Sequence, residues 1–457
     1  MDYSSGNQGL WELVIQLGLI AFAIMLAYLV RQRFAVIRKS LMPVAVMAGF
    51  MLLGARYLGV VSIDTELMEK LVYHGIALGF IAMSLRVPTK SAGDAERLTG
   101  LRSGAVIVSS YMVQGIVGLI VSIALSCTVM PDLFKASGLL LPMGYGQGPG
   151  QANNVGTTYE SLGFEGGRSF GLAIAAAGYL AACTAGVVIM NIWVRSGRIS
   201  SRRTAAEKKP DVDFFQGENE IPVSDSIDKL SMQLAMVLPV YLLTYLAACG
   251  ITKGLAAVSE GAAASLSPLI WGFNFIIGSA IAMMVRAVME KLRGQGVIRR
   301  QYQNNYLLNR ISGFFFDIMI TAGIASIHIE DIRGLWLPFI LMAVLGGAVT
   351  FLHLWAVCRR AYPEYFHEGF ISMFGMMTGT ISSGVLLLRE IDPELSTPAA
   401  GNLITGSSMG ILLGSPVLIL VSIAPRSDGM CMICLGAVAA YYAILMLVIF
   451  KAGRKKQ

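Results

Sequence analysis

The chain has 457 residues, of which 55% are hydrophobic and only 14% are charged. Since soluble globular domains usually carry about 25% charged residues, this composition excludes an ordinary soluble domain and predicts a protein embedded in a lipid bilayer. The formal net charge of +7 could suggest binding to nucleic acid, but the positions of the basic residues give it another explanation.

Eleven apolar segments are predicted to cross the bilayer, because a spanning helix needs about 20 apolar residues. In chain order they are 11–30, 41–60, 70–87, 103–130, 166–194, 231–251, 265–287, 311–328, 333–357, 401–424 and 430–450. Two further apolar stretches, 136–155 and 366–388, are interrupted by glycines and do not fit a plain transmembrane helix. The sequence therefore predicts an all-α multi-spanning membrane protein.

The basic residues predict the orientation of these segments. If the N-terminus lies outside and the spans alternate, most of the 35 basic residues fall in cytoplasmic segments, as the positive-inside rule requires. The C-terminus is then cytoplasmic, and no nucleic-acid partner is expected. This alternation also requires each interrupted stretch to enter and leave the membrane by the same face. Both are therefore predicted to be re-entrant hairpins, with their backbone covered by protein or by a water-filled cavity.

A polar linker, 195–230, divides the chain into two similar halves, 10–194 and 231–424. Each half contains four spans, an interrupted hairpin and a fifth span. Because five crossings is an odd number, the halves must have opposite topology, and they form a predicted inverted repeat of five helices each. The segment 430–450 has no counterpart in the first half and is predicted to be an additional C-terminal helix. Paired interrupted helices in inverted repeats indicate the substrate site of secondary transporters.

The first hairpin contains MGYGQGPGQANN (143–154), in which glycines bring the backbone close to a ligand. Broken helix ends there would offer a positive N-terminal pole to anions and free carbonyls to sodium. The alternative is a tightly packed crossing with a purely structural role. The predicted substrate-binding residues are Gln147, Gln151, Asn153, Asn154 and Thr157, and the hairpin glycines are Gly146, Gly148 and Gly150.

The second hairpin contains MFGMMTGTISSG (373–384), where hydroxyl groups adjoin the glycines Gly375, Gly379 and Gly384. Its predicted substrate contacts are Thr378 and Arg389, and its predicted ion ligands are Thr380, Ser382 and Ser383. Helical serines and threonines can instead bond their own i−4 carbonyls. Arg389 could hold a carboxylate in bidentate fashion, or it could be a positive-inside residue paired with Glu390.

Asp317, in FFFDIMI, is the clearest carboxylate inside a predicted span. A carboxylate at this depth is a candidate functional residue, which could bind sodium, carry a proton or pair with a buried Arg or His. Asn402 and Thr405 are predicted substrate contacts and Ser408 a predicted ion ligand, because they open the span that follows the second hairpin.

Other polar residues inside the spans are expected to be structural. His74 and His353 are predicted to be hydrogen-bonded histidines, and Gln114 and Asn274 to join neighbouring helices through hydrogen bonds. The CxxC pair Cys431 and Cys434 stands alone and is also expected to be structural. The sequence contains no P-loop, HExxH motif or nucleophile elbow, so neither an enzyme nor an ATP-driven pump is expected.

Four stretches of the chain resemble the bacterial glutamate:sodium symporter (ESS) family over roughly residues 10–425. They are VRQRFAVIRKSLMPVAVMAGFML, ALGFIAMSLRV, LLLPMGYGQGPGQANNVGTTYESLGF and EYFHEGFISMFGMMTGTISSGVLLLREIDPEL. The chain has YGQGPG where the family typically has Gly-Gly-His-Gly, and MFGMMTGTISSG where the family's second loop typically begins Gly-His-Cys-Gly-Phe-Gly.

The resemblance implies an inverted repeat with two re-entrant loops, usually dimeric, in the bacterial cytoplasmic (inner) membrane. It implies a sodium-coupled symporter for glutamate or a related small carboxylate, working by elevator-type alternating access, with Na⁺ as coupling ion and no other cofactor or metal. Two alternatives stay open. The protein could be a proton-coupled carrier or exporter of another solute that uses Asp317, or a membrane scaffold or sensor that transports nothing.

Overall fold

The computed structural model describes residues 7–35, 42–87, 94–199, 223–260, 270–272, 274–298, 301–392 and 397–452, with the isolated positions 4, 37, 263 and 267. The side chains of Ser382 and Ser408 and most of the predicted linker 195–230 lie outside the described residues. Within the described ranges the regular secondary structure is helical and includes no strand, which confirms the predicted all-α class.

The α-helices follow the predicted apolar segments in chain order. They are α1 (Gln8–Arg33), α2 (Val44–Tyr57), α3 (Thr65–Ser84), α4 (Asp94–Thr128), α5 (Pro149–Ser161), α6 (Gly167–Ala181), α7 (Val187–Arg195), α8 (Val223–Val258), α9 (Asn274–Gly294), α10 (Asn305–Ala325), α11 (Trp336–Ala361), α12 (Phe366–Met377), α13 (Ile381–Ile391), α14 (Ala399–Ile423) and α15 (Asp428–Ala452). A π-helical turn, Ala182–Gly186, joins α6 to α7.

Seven helices in the described part of the chain are long and apolar enough to cross a membrane. They are Gly9–Arg33, Thr99–Thr128, Gly167–Arg195, Leu230–Val258, Asn305–Ala325, Trp336–Ala361 and Asp428–Phe450. Each coincides with one of the predicted spans. Val44–Tyr57 and Leu413–Arg426 are shorter apolar helices. The chain is therefore a membrane protein by the length and composition of its helices.

The helices form two compact units, and each unit takes helices from both halves of the sequence. The first unit consists of Met1–Thr65, Ala92–Thr204 and Gly323–Gln457, and the second of Glu66–Ser91 and Ala205–Ala322.

The second unit has an apolar core between α3, α8, α9 and α10. Its buried members are Ile81, Ala82, Leu85, Val237, Val240, Ala282, Leu308 and Ile311. Side chains of the same unit hold the end of α3. Arg286 Nη1 donates to the carbonyls of Ser84 and Arg86 at 3.3 and 3.1 Å. Asn305 pairs its amide with the N–H and C=O of Val87 at 2.8 and 2.7 Å, which satisfies backbone groups beyond the last helical turn.

In the first unit, α4 packs against α11, α14 and α15, and α5 packs against α6. Small residues allow backbones to come into contact, as is common between helices in membranes. A Cβ atom on Gly171 would lie 2.7 Å from the carbonyl oxygen of Ala152, and one on Gly156 would lie 2.6 Å from Cα of Arg168. The additional helix α15 is part of this unit, since Tyr441 donates to the carbonyl of Leu413 at 2.6 Å.

The loop between α10 and α11 is tied to other segments of the first unit. The Tyr57 hydroxyl donates to Glu330 Oε2 at 2.7 Å, at the end of α2. The Ser169 hydroxyl, in the first turn of α6, donates to Asp331 Oδ2 at 2.9 Å and accepts the N–H of His328 at 3.2 Å. These bonds fix the loop at two points.

Candidate functional site

The first interrupted segment runs from Lys135 through α5. A 3₁₀ turn (Lys135–Leu139) and a π-helical turn (Pro142–Gly146) come first, and α5 starts at Pro149. Between them Gly148 has φ 87° and ψ −177°, a backbone conformation that is essentially restricted to glycine. Pro149 suits the first position of α5 because it needs no N–H acceptor there. The predicted break in this segment is thus confirmed.

The second interrupted segment consists of α12 and α13. Helix α12 ends at Met377, and α13 starts after Thr380, whose extended backbone (φ −141°, ψ 173°) interrupts the helix. The two short helices pack closely, since a Cβ atom on Gly375 would lie 2.9 Å from Cα of Gly384. The glycines predicted to interrupt this segment therefore also let its two helices come together.

The breaks of the two segments meet in the first unit. A Cβ atom on Gly148 would lie 3.3 Å from Cγ2 of Thr380 and 3.6 Å from the carbonyl oxygen of Gly379. Helix α6 contacts both segments. A Cβ on Gly144 would lie 2.8 Å from the nitrogen of Ala175, and one on Gly178 would lie 2.5 Å from the oxygen of Thr378. We call the contact of Gly148 with Gly379 and Thr380 the break contact.

Helix ends of both polarities lie at the break contact. Helices α5 and α13 begin there, and the first N–H groups of a helix have no acceptor within the helix. The π-helical turn and α12 end there, at Gly146 and Met377, and their last carbonyls carry partial negative charge. The contact therefore offers an anion two positive helix ends and a cation two negative ones.

Several buried side-chain oxygens of α4 and of the two interrupted segments lack a hydrogen-bond partner among the described residues. They are Gln114 Oε1, Asn153 Oδ1, Thr380 Oγ1 and Ser383 Oγ. Two of them lie beside the breaks themselves. A Cβ on Gly146 would lie 2.9 Å from Gln114 Oε1, and a Cβ on Gly379 would lie 2.8 Å from Ser383 Oγ. Buried polar atoms are nearly always hydrogen-bonded, so these oxygens are available to a ligand, an ion or solvent.

The predicted residues of the first hairpin differ in their surroundings. Gln151, Asn153 and Asn154 are buried on α5, and Gln147 is half-buried at the break. Thr157, about a turn further along α5, is exposed. From this hairpin the break contact contains Gly148, which directly follows Gln147 in the chain.

The other predicted substrate contacts are spread along the second segment and α14. Thr378 lies at the break, and its hydroxyl donates to the carbonyl of Phe374 at 2.7 Å, the i−4 bond considered as the alternative. Arg389 is exposed on α13, and Thr405 is exposed on α14. Asn402 donates its amide N–H to the Tyr365 hydroxyl at 2.7 Å.

Asp317 belongs to the second unit, where its side chain is exposed on α10. Its predicted role as a sodium ligand or a proton carrier stays a prediction.

Gln114 on α4 adjoins both breaks, at Gly146 and at Met377, although the sequence predicted it only as a link between helices. Its Nε2 donates to Thr350 Oγ1 and to the carbonyl of Met377, both at 2.9 Å, which confirms that link. Its Oε1 lies beside Gly146, where the Tyr111 ring occupies the position of a Cβ. Tyr111 and Gln114 are three residues apart and therefore lie on the same face of α4. This spacing is the signal in the sequence that could have placed Gln114 beside Tyr111 at the site.

The histidines singled out as structural are hydrogen-bonded, as predicted. His353 lies between Ser109 Oγ at 3.1 Å and the Tyr442 hydroxyl at 3.2 Å. His74 Nδ1 lies 2.6 Å from the Tyr241 hydroxyl in the second unit. Among the described residues, no group of three or more His, Cys, Asp or Glu side chains is arranged to hold a metal ion.

No known protein-family model matches this chain, and no curated protein matches its sequence.

Proposed function

We propose that this membrane protein is a secondary active transporter that takes up a small carboxylate, such as glutamate, together with Na⁺. The observation that carries the proposal is the break contact, where Gly148 adjoins Thr380 and two helices begin. Interrupted helices of this kind bind substrate and coupling ion in known secondary transporters.

The positive ends of α5 and α13 suit a carboxylate. Backbone N–H groups in their first turns would donate to its oxygens. The amides of Gln147 and Gln151 lie at the start of α5 and would add directional donors. This arrangement supports an anionic solute over a neutral one.

The unpartnered hydroxyls support sodium as the coupling ion. Thr380 Oγ1 and Ser383 Oγ are buried at the start of α13, and the last carbonyls of α12 are close in the chain. Hydroxyl and carbonyl oxygens at broken helices are the ligands that Na⁺ uses in transporters. Binding of both charges at one contact would couple their movement, because each would lower the electrostatic cost of the other.

The proposal includes a topology and a movement. The two interrupted segments enter the membrane from opposite faces, the N-terminus lies outside and the C-terminus in the cytoplasm. The protein forms a homodimer in the bacterial cytoplasmic membrane, and the segments carry the solute by elevator-type alternating access. The positive-inside distribution of basic residues and the resemblance to the ESS family support this part.

Uptake into proteoliposomes tests the function. The full-length protein would be reconstituted, and entry of labelled glutamate would be followed under an inward Na⁺ gradient and under a matched choline gradient. Uptake that requires Na⁺ supports the proposal. Uptake driven by a pH gradient and abolished by Asp317→Asn supports the proton-coupled alternative. If no carboxylate from a broad panel enters or stabilises the protein, the transporter proposal is wrong and the scaffold alternative is favoured.

A further inference from the structure

The orientation of the Gln114 amide follows from its neighbours. The carbonyl of Met377 can only accept a hydrogen bond, so the group 2.9 Å from it must be the amide nitrogen. Thr350 Oγ1 gives its one hydrogen to the carbonyl of Gly346 at 2.6 Å, so it too accepts from Gln114. Both N–H groups of the Gln114 amide therefore have an acceptor, and the amide atom that lies beside Gly146 is the oxygen, Oε1.

This oxygen is an acceptor deep inside the first unit. Gln114 is fully buried, and Oε1 has no hydrogen-bond partner among the described residues. Gly146 ends the π-helical turn, and Met377 ends α12, so the Gln114 amide lies between two helix ends of negative polarity. An acceptor in this position favours a positively charged hydrogen-bond donor.

We propose that Gln114 Oε1 binds the ammonium group of a transported amino acid, which makes Gln114 a specificity-determining residue. This inference rests on the proposed function. An amino acid carries its carboxylate and its ammonium within a few ångströms of each other. The positive ends of α5 and α13 would take the carboxylate, and Gln114, at the negative ends, would take the ammonium. A carboxylate without an amino group would leave Oε1 buried and without a donor.

Gln114 is favoured over the hydroxyls of α13 for this role because its orientation is fixed. The side chains of Thr380 and Ser383 can rotate their hydrogens and act as donors to a carboxylate. The Gln114 oxygen can only accept, and two hydrogen bonds hold it in place. A site built around a fixed buried acceptor discriminates strongly against a ligand that lacks the matching N–H.

Paired ligands test the inference. The full-length protein, purified in detergent with NaCl, would be titrated with L-glutamate and glutarate, and with L-aspartate and succinate, while thermal unfolding is followed. Within each pair the ligands differ by the amino group. For the wild type, we expect apparent affinity for the amino acid to exceed that for its partner on the order of 10- to 100-fold. Gln114→Leu should bring this ratio close to one.

Two further variants separate specificity from folding. Gln114→Glu keeps an oxygen acceptor and should retain preference for the amino acid, even if it unfolds at lower temperature. Gln233→Leu removes a buried glutamine of the second unit, which bonds the N–H of Asn304 at 3.0 Å and the carbonyl of Tyr302 at 2.9 Å. It should lower the unfolding temperature and leave the ratio unchanged.

Each contrary outcome identifies what is wrong. If wild-type protein binds both members of every pair equally, or if Gln114→Leu keeps the ratio, the inference about Gln114 is wrong and the proposed function stands. Loss of the Na⁺ requirement in Gln114→Leu with the ratio intact would also overturn it, because Oε1 would then be a sodium ligand. If no ligand stabilises the wild type, the proposed function is overturned, and the inference with it.

Discussion

Gly148 and Thr380 lie against each other, with only 3.3 Å between the Thr380 Cγ2 atom and the position that a Cβ on Gly148 would take. They belong to segments more than 200 residues apart in the sequence. Each occupies the position just before a helix, so their contact brings together the starts of α5 and α13. The proposed binding of a carboxylate and Na⁺ at one place depends on this relationship.

Replacement of Gly148 by alanine should weaken both folding and binding. The backbone of Gly148 (φ 87°, ψ −177°) is in a region that other residues avoid, and holding a residue there costs about 1–3 kcal/mol. The new methyl group would also press on Thr380. We expect a lower unfolding temperature and a reduced stabilisation by ligand. Gly18→Ala is the control, because its Cβ would have no neighbour within 4 Å. Equal behaviour of the two variants would contradict this interpretation.

Ser383→Ala should separate binding from folding. The Ser383 hydroxyl has no hydrogen-bond partner among the described residues, so its removal should leave the unfolding temperature of the ligand-free protein unchanged or slightly higher. If Oγ is a sodium ligand, the Na⁺ concentration needed for ligand-induced stabilisation should rise on the order of tenfold, as for the loss of one good polar contact.

The control for Ser383→Ala is Ser122→Ala. The Ser122 hydroxyl donates to the carbonyl of Lys135 at 2.6 Å, so its loss should destabilise the protein without changing the sodium response. An unchanged sodium response in Ser383→Ala would remove Ser383 from the ion site.

The sequence was sufficient to locate both breaks, because local backbone chemistry determines them. Gly148 and Pro149 stop one helix and start the next, and Gly379 and Thr380 do the same in the second segment. The end of α2 was harder to predict from the sequence. The span predicted over 41–60 is a helix only over Val44–Tyr57, because Gly59 adopts φ 70° and its N–H bonds back to the carbonyl of Arg56 at 3.0 Å.

The identity of the side chains at the break contact could not be predicted in the same way. Sequence spacing shows which residues share a helix face, but not which face meets which neighbour. Thr157 proved exposed although Asn153, four residues earlier, is buried. Asn402 donates its amide N–H to the hydroxyl of Tyr365. The proposed role of Gln114 depends on its bond to Met377, more than 250 residues away, which only the tertiary structure reveals.

The approach of α4 to the 3₁₀ turn gives a prediction about packing. A Cβ on Gly118 would overlap the carbonyl of Gly138, a backbone group that cannot rotate away. Gly118→Ala should therefore destabilise the protein by about 1–3 kcal/mol or more, since overpacking forces backbone shifts. Gly115→Ala, on the same helix, would bring its Cβ no closer than 3.6 Å to any neighbour and should be tolerated. Equal unfolding temperatures for the two variants would contradict this account of the packing.

His328 gives the protein a predicted dependence on pH. It lies in the loop beyond the end of α10, with its Nδ1 3.4 Å from Arg168 Nη2. Burial lowers the pKa of His328 below its usual value of 6.5, and the positive charges of Arg56 and Arg168 lower it further, against the opposing effects of Asp331 and Glu330. The neutral ring is therefore favoured in the folded protein.

The sign of the effect follows from proton binding. Below pH 6.5 the unfolded chain takes up a proton at His328 more readily than the folded protein does. The contribution of His328 to stability is therefore complete above that pH, and it is lost as the pH falls through the lowered pKa of the folded state. Between pH 7 and pH 5 we expect the unfolding temperature to fall less in His328→Gln than in the wild type. Ser169→Ala, which removes hydrogen bonds to the same loop, should lower the unfolding temperature at every pH and keep the wild-type slope. A slope in His328→Gln as steep as in the wild type would assign the pH dependence to another group.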